Sequence, residues 1–193
     1  MVISWLRVPE EGELPEEVRE LFAKLREKTG FVPNVARAFA LSPRFLLWFR
    51  YYDALMRGEG LLSREEREAM AVAVSGENRC EYCVASHKRY LKDLTGDPVL
   101  PEVLAANPRR AEMPPRMRAL VEFALKVTHR HHEMTEEDLK PLREAGLSDC
   151  LLYTSPGLSD EAILEAAEVA AMFNFTNRLL NSLGFKPNPE YYG

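Results

Sequence analysis

Residues 61–91 read LLSREEREAMAVAVSGENRCEYCVASHKRYL, and this stretch predicts two helices joined by a tight turn. Ser63 followed three residues later by Glu66 is a capping box, in which each side chain reaches the other's free backbone N–H. The Ala-, Met- and Val-rich run after it predicts a buried helix to about Ser75, closed by Gly76. Gly76-Glu77-Asn78 is then the connection, and a second helix carries Cys80 and Cys83 and stops near Gly96. A connection this short makes the two helices antiparallel neighbours.

Working outward, helix start and stop signals recur and strand patterns do not. Leu14-Pro15 opens a helix that Gly30 ends, with Pro at a first-turn position and Gly beyond the end. Phe31-Val32-Pro33-Asn34 turns into a short helix over 35–40. Ser42-Pro43 is read as the cap and start of an aromatic-rich helix through Met56, stopped by Gly58. Pro98 and Pro101 mark a looser stretch with a short helix; Pro114-Pro115 opens a helix to about His131. Thr135 with Asp138 caps another, ending at Gly146, and Ser159 caps the last long helix through Leu183. The proline-rich tail is expected to wrap a surface. The expected fold is all-α, an antiparallel helical bundle forming a single domain over 1–193. The Ser-capped acidic starts at Ser63 and Ser159, each before an Ala-rich helix, read either as two related hairpins or as coincidence. Gly-Leu-Ser-Asp occurs at 146–149 and again at 157–160. The residues between lack helical logic, so 146–160 is expected to be a local insertion, or an assembly artefact, with Cys150 incidental to function.

Composition excludes several roles. The net charge of −5 over 193 residues argues against nucleic-acid binding, which needs a basic footprint, and against an anionic membrane surface. No run of about 18 apolar residues predicts a bilayer span. The apolar residues near Met1 lack a basic region before them, so the expectation is no secretory signal and a cytoplasmic protein. Three cysteines, Cys80, Cys83 and Cys150, are too few and too uneven for a secreted disulfide framework.

The chemistry sits in Cys80-Glu81-Tyr82-Cys83-Val84-Ala85-Ser86-His87. At 100° per helical residue, positions 80, 83 and 87 fall within roughly 60° of one another. Free N–H groups at a helix start favour a thiolate, and Arg79 adds positive charge. A Cys-x-x-Cys pair there suits a reversible dithiol, with His87 as a proton carrier and Glu68, on the preceding helix, able to orient its imidazole. A zinc site with Glu68 as fourth ligand, or two inert core thiols, are the alternatives. Tyr82 reads as packing, and Ser86 as a hydroxyl bonded back to its own helix. His129 to His132 read as a solvated helix end, not a metal site. The aromatic run from Phe45 to Tyr52, with Trp48, reads as core or subunit interface, and Asn174, Asn177 and Arg178 as bonds to neighbouring helices or a partner subunit. Glu10, Glu11 and Glu13 read as solvated surface.

Glu68, eleven residues, Cys80-x-x-Cys83, three residues and His87 is similar to the signature of alkylhydroperoxidase D and the broader carboxymuconolactone decarboxylase-like family, most of all its peroxidase-related subgroup. The resemblance extends to Phe31-Val32-Pro33-Asn34, to the 61–91 hairpin and to 173–178. It implies an alkylhydroperoxidase-like helical fold and a thiol-dependent hydroperoxide reductase. Cys83 would be the peroxidatic thiol, Cys80 its proton donor and resolving partner, and Glu68 with His87 the proton relay. The implied partners are a hydroperoxide substrate and an external dithiol, of lipoyl type or a reductase protein, with no bound cofactor and no metal. A homo-oligomer is implied too, and the apolar final helix fits one. One position departs: the best-known members carry a second His where this chain has Tyr82. A carboxymuconolactone decarboxylase-like enzyme or a non-enzymatic redox sensor are the rival functions.

Overall fold

The computed structural model describes residues 2–145 and 157–192, and among these there are nine α-helices and no strand. They are α1 (Glu16–Thr29), α2 (Asn34–Phe39), α3 (Phe45–Arg57), α4 (Arg64–Glu77), α5 (Glu81–Thr95), α6 (Leu100–Ala106), α7 (Pro115–Arg130), α8 (Lys140–Glu144) and α9 (Asp160–Ser182). Of the expected insertion, 146–156, Cys150 included, lies outside the described residues.

α4 is the axis of the fold. It packs against α5, α6, α7 and α9, so every residue from Glu66 to Ser75 is buried. A helix enclosed on all sides must be apolar all round, and the Ala-Met-Ala-Val-Ala-Val run provides that. Its small side chains let the neighbours approach closely. The charged residues on α4 are then obliged to find partners, because an unpaired buried charge is costly. Glu66 accepts from Arg116 at 2.7 Å, and Arg67 donates to Glu165 at 2.7 Å and to the Gly58 carbonyl at 2.8 Å. Glu68 turns toward α5.

The caps follow the sequence closely. Ser63 and Glu66 form the expected box at the start of α4, and Ser159 accepts from the Ala162 N–H at the start of α9. Gly30 and Gly96 end α1 and α5 at φ of 83° and 69°, a region closed to most side chains. Three expectations are corrected. Ser42-Pro43 precedes α3 without capping it; the N-cap is Arg44, and the Ser42 hydroxyl instead accepts from the Arg44 N–H at 3.2 Å. Gly76 does not end α4 but lies inside it, where a Cβ would stand 2.4 Å from the Ala105 carbonyl oxygen of α6. It is a glycine for close packing. The Thr135–Asp138 box opens a 3-10 turn over Glu136–Leu139 that runs into the short α8.

Polar bonds fix the turn between α4 and α5 against α9. Asn78 donates to Asn174 at 3.1 Å and to Asn177 at 3.0 Å, Asn177 donates to Ser75 at 3.0 Å, and Asn181 donates to the Asn78 carbonyl at 3.0 Å. This network holds Arg79 in the left-handed region, φ 53°, immediately before Cys80. The tail does wrap back, but not as surface dressing. Its backbone pairs with the N-terminal segment through Trp5 N–H to Leu183 O and Lys186 N–H to Ile3 O, both 3.0 Å. Its last turn, Pro189–Tyr192, then buries Tyr191 against α5.

Candidate active site

Cys80 is the N-cap of α5, and its sulfur accepts from the Cys83 N–H at 3.4 Å, where a cap oxygen would ordinarily sit. The two cysteines are joined as a disulfide, with Cα atoms 5.3 Å apart. Both are buried, at 0% and 3% exposure.

Glu68 and His87 meet between α4 and α5. Glu68 Oε2 lies 2.5 Å from His87 Nδ1, and both side chains are almost fully enclosed. A carboxylate has no hydrogen to give, so the imidazole donates Nδ1–H, and in the neutral ring Nε2 is left as the acceptor. The Tyr52 hydroxyl, 3.3 Å from Nε2, is the donor that meets it. Burial raises the Tyr52 pKa well above the ordinary phenol value against the pull of Arg57, so the hydroxyl keeps its proton. The Arg57 guanidinium stands 5.9 Å from the Tyr52 ring centroid and 5.8 Å from that of Tyr90. The imidazole edge also meets Phe173, centroids 4.6 Å apart and planes at 87°.

These groups surround a cavity of ≈ 60 Å³ lined by Cys83, Ser86 and His87 of α5, Trp48, Phe49, Tyr52 and Arg57 of α3, Phe173 of α9 and Tyr191 of the tail, among others. Its wall is mainly apolar and aromatic. Cys83 lines it and Cys80 does not. The Trp48 Nε1 is, among the described residues, a buried side-chain donor without a hydrogen-bond partner. A buried donor left unpaired is rare and calls for a reason.

All four residues singled out in the sequence therefore converge. The sequence reading missed Tyr52, Trp48 and Tyr191. The aromatic run of α3 is not merely core or interface: its Trp48, Phe49 and Tyr52 form one wall of the cavity. Tyr82, read as packing in the sequence, is buried and hydrogen-bonded away from His87. Its hydroxyl accepts from the Val35 N–H at 3.2 Å and meets Tyr191 at 3.4 Å, and burial raises its pKa. Ser86 donates back to the Tyr82 carbonyl at 3.0 Å, as expected. His131 and His132 are exposed, and among the described residues no group of three or more His, Cys, Asp or Glu side chains could hold a metal ion. No helix among them is long and apolar enough to cross a membrane.

Comparison with known proteins places the fold in a family. The Carboxymuconolactone decarboxylase family profile matches residues 45–99, which hold α3, α4 and the whole CxxC helix. The structure of the alkylhydroperoxidase AhpD core, a peroxidase-related protein, from Ralstonia eutropha JMP134 is 38% identical, with TM-score 0.90, over 100% of this chain and 96% of that one. A peroxidase-related protein from Silicibacter sp. TM1040 is 37% identical with TM-score 0.89, again over 100% and 96%. The chain belongs to the AhpD-like carboxymuconolactone decarboxylase family. The debrominase Bmp8, 16% identical over 100% of this chain and 95% of that one at TM-score 0.74, shares the fold. Sestrin-2 of Mus musculus is 29% identical over 119 residues, 61% of this chain and 24% of its own length. The chain thus spans about a quarter of the length of the curated relatives it matches.

Proposed function

We propose that the chain is a thiol-dependent hydroperoxide reductase working through Cys83 and Cys80. The observation that carries this reading is that Cys83, the cysteine on the cavity wall, shares that cavity with the His87 imidazole that Glu68 holds. In the reduced protein, His87 takes the thiol proton and the Cys83 thiolate attacks the terminal oxygen of ROOH. The O–O bond breaks, ROH leaves, and Cys83 becomes a sulfenic acid. Cys80 then attacks that sulfur, water leaves, and the disulfide forms. An external dithiol restores both thiols. The cavity favours an organic hydroperoxide over a small polar one, because its wall is largely aromatic. The unpaired Trp48 Nε1–H offers a hydrogen bond to a substrate oxygen.

Two features support the assignment over its rivals. A lactone decarboxylase on the same fold needs no dithiol, whereas this chain places two sulfurs within bonding reach. A redox sensor would alter a partner surface, and both cysteines are buried away from any surface. The names of the two full-length structural neighbours point the same way. Steady-state consumption of an alkyl hydroperoxide with a small dithiol tests the reading. The parent turns over, Cys83→Ser does not, and Cys80→Ser loses dithiol-dependent cycling. A Cys83→Ser variant with parental turnover removes the mechanism.

A further inference from the structure

His87 has two ring nitrogens, and both are occupied. Glu68 holds Nδ1, so any proton leaving the imidazole for the cavity leaves from Nε2, and there the Tyr52 hydroxyl stands at 3.3 Å. Tyr52 is fixed for that task. Its ring stacks on Trp48, centroids 5.3 Å apart and planes at 22°, and it lines the cavity together with Cys83. Tyr82, the nearest phenol in sequence to the cysteines, is bonded to Val35 and Tyr191 instead.

We infer that Tyr52 is a catalytic residue: it gives its hydroxyl proton to the leaving oxygen of the peroxide and is refilled by His87. The inference rests on the peroxidase reading above. The Tyr52 hydrogen turns from Nε2 into the cavity, Nε2 then takes the Cys83 proton, and the new Nε2–H donates to the Tyr52 oxygen. As the thiolate attacks the terminal oxygen and the O–O bond breaks, the electron pair goes to the RO oxygen. That oxygen takes the proton of Tyr52, and Tyr52 takes the proton of His87. The thiol proton has then moved to ROH, and imidazole and phenol end as they began. The positive charge of Arg57 beside the ring favours the negative charge that builds on the phenol oxygen as its proton departs.

The test exploits the leaving group. An alkyl hydroperoxide expels an alkoxide, which needs a proton in the transition state; a peroxy acid expels a carboxylate, which does not. Stopped-flow oxidation of the reduced full chain is measured with both oxidants for the parent and Tyr52→Phe, which keeps the ring and its stack. The expected result is a fall of about 100-fold with the alkyl hydroperoxide and almost no change with the peroxy acid. Equal losses on both oxidants, or none on either, overturn the inference while leaving the peroxidase reading in place. A parent that neither oxidant oxidises at Cys83 overturns both. If Tyr52→Phe does not fold, a fluorinated tyrosine introduced at position 52 keeps ring and hydroxyl while making the hydroxyl more acidic. The ratio of the two rates must then change, and an unchanged ratio overturns the inference.

Discussion

Replacing Glu68 by glutamine separates the role of its charge from the role of its shape. The amide oxygen of the Glu68→Gln variant can still accept the Nδ1–H of His87, so the ring stays oriented. What disappears is the charge that stabilises the imidazolium formed when His87 takes the thiol proton. Both side chains are almost fully enclosed, at 5% and 6% exposure, so solvent does little to screen the pair. A hydrogen bond to a charged group contributes about 1.5 to 3 kcal/mol and a neutral one about 1 kcal/mol, so the charge accounts for about 0.5 to 2 kcal/mol. At about 1.4 kcal/mol per decade, that is a slowing of about 2- to 30-fold. Stability should hardly fall, since exchanging a buried carboxylate for an amide of the same shape also removes a desolvation cost. The assay is stopped-flow oxidation of the reduced protein by an alkyl hydroperoxide, beside thermal unfolding of the same samples. An unchanged rate refutes the reasoning. So does a rate loss matched by a parallel loss of folded protein, which would make Glu68 and His87 a structural pair alone.

Gly76→Ala sets two effects against each other. Alanine gains about 1 kcal/mol of helix preference, but its Cβ would stand 2.4 Å from the Ala105 carbonyl oxygen, a backbone atom that cannot swing aside. Overpacking of that kind costs about 1 to 3 kcal/mol, so denaturant melts should show a net loss, and a gain would contradict the close approach of α6. Tyr191→Ala removes a 7%-exposed ring whose hydroxyl meets Tyr82 at 3.4 Å and Tyr90 at 3.3 Å. Unfolding should become easier by about 3 kcal/mol, the low end for a large aromatic because a terminal turn can relax. The Cys80–Cys83 disulfide should also be reduced faster by bulky thiols. Asp138 carries a sign that pH can read. Its hydrogen bond from Lys126, with the Thr135 N–H, holds its carboxyl below the ordinary value. The unfolded chain therefore binds the proton more readily, and the stabilisation is complete above the unfolded carboxyl range and lost as pH falls through the folded pKa. Asp138→Asn should melt lower than the parent near neutral pH, with the gap closing in acid; a constant gap would show that charge is not the cause.

The legible parts of the fold were those with local causes. The Ser63–Glu66 box, the Ser159 cap and the left-handed glycines at 30 and 96 each obey rules spanning a few residues, and each appears where the sequence places it. Gly76 misleads because its reason is tertiary: it resembles a helix stop, yet it exists to let α6 lie close to α4. The four residues at 68, 80, 83 and 87 were legible because one hairpin carries them all, and helical spacing with a short turn brings them together. Tyr52 was not, since 35 residues and two intervening connections separate it from His87, and nothing local marks a phenol as facing an imidazole. Tyr191 is further still, brought to α5 by a tail whose proline content signals a turn without saying what the turn covers. Trp48 shows the same limit: an aromatic run is consistent with core, interface or cavity wall until the opposing elements are known.

The central claim is that Cys83 is the atom that meets the peroxide. Reduced Cys80→Ser protein, with no resolving thiol left beside Cys83, should be exposed to one equivalent of an alkyl hydroperoxide in the presence of a sulfenic-acid trap. Peptide mass spectrometry then locates the adduct. The account predicts a near-stoichiometric adduct on Cys83, with one equivalent of the corresponding alcohol released. An untouched Cys83 with unconsumed peroxide would contradict it.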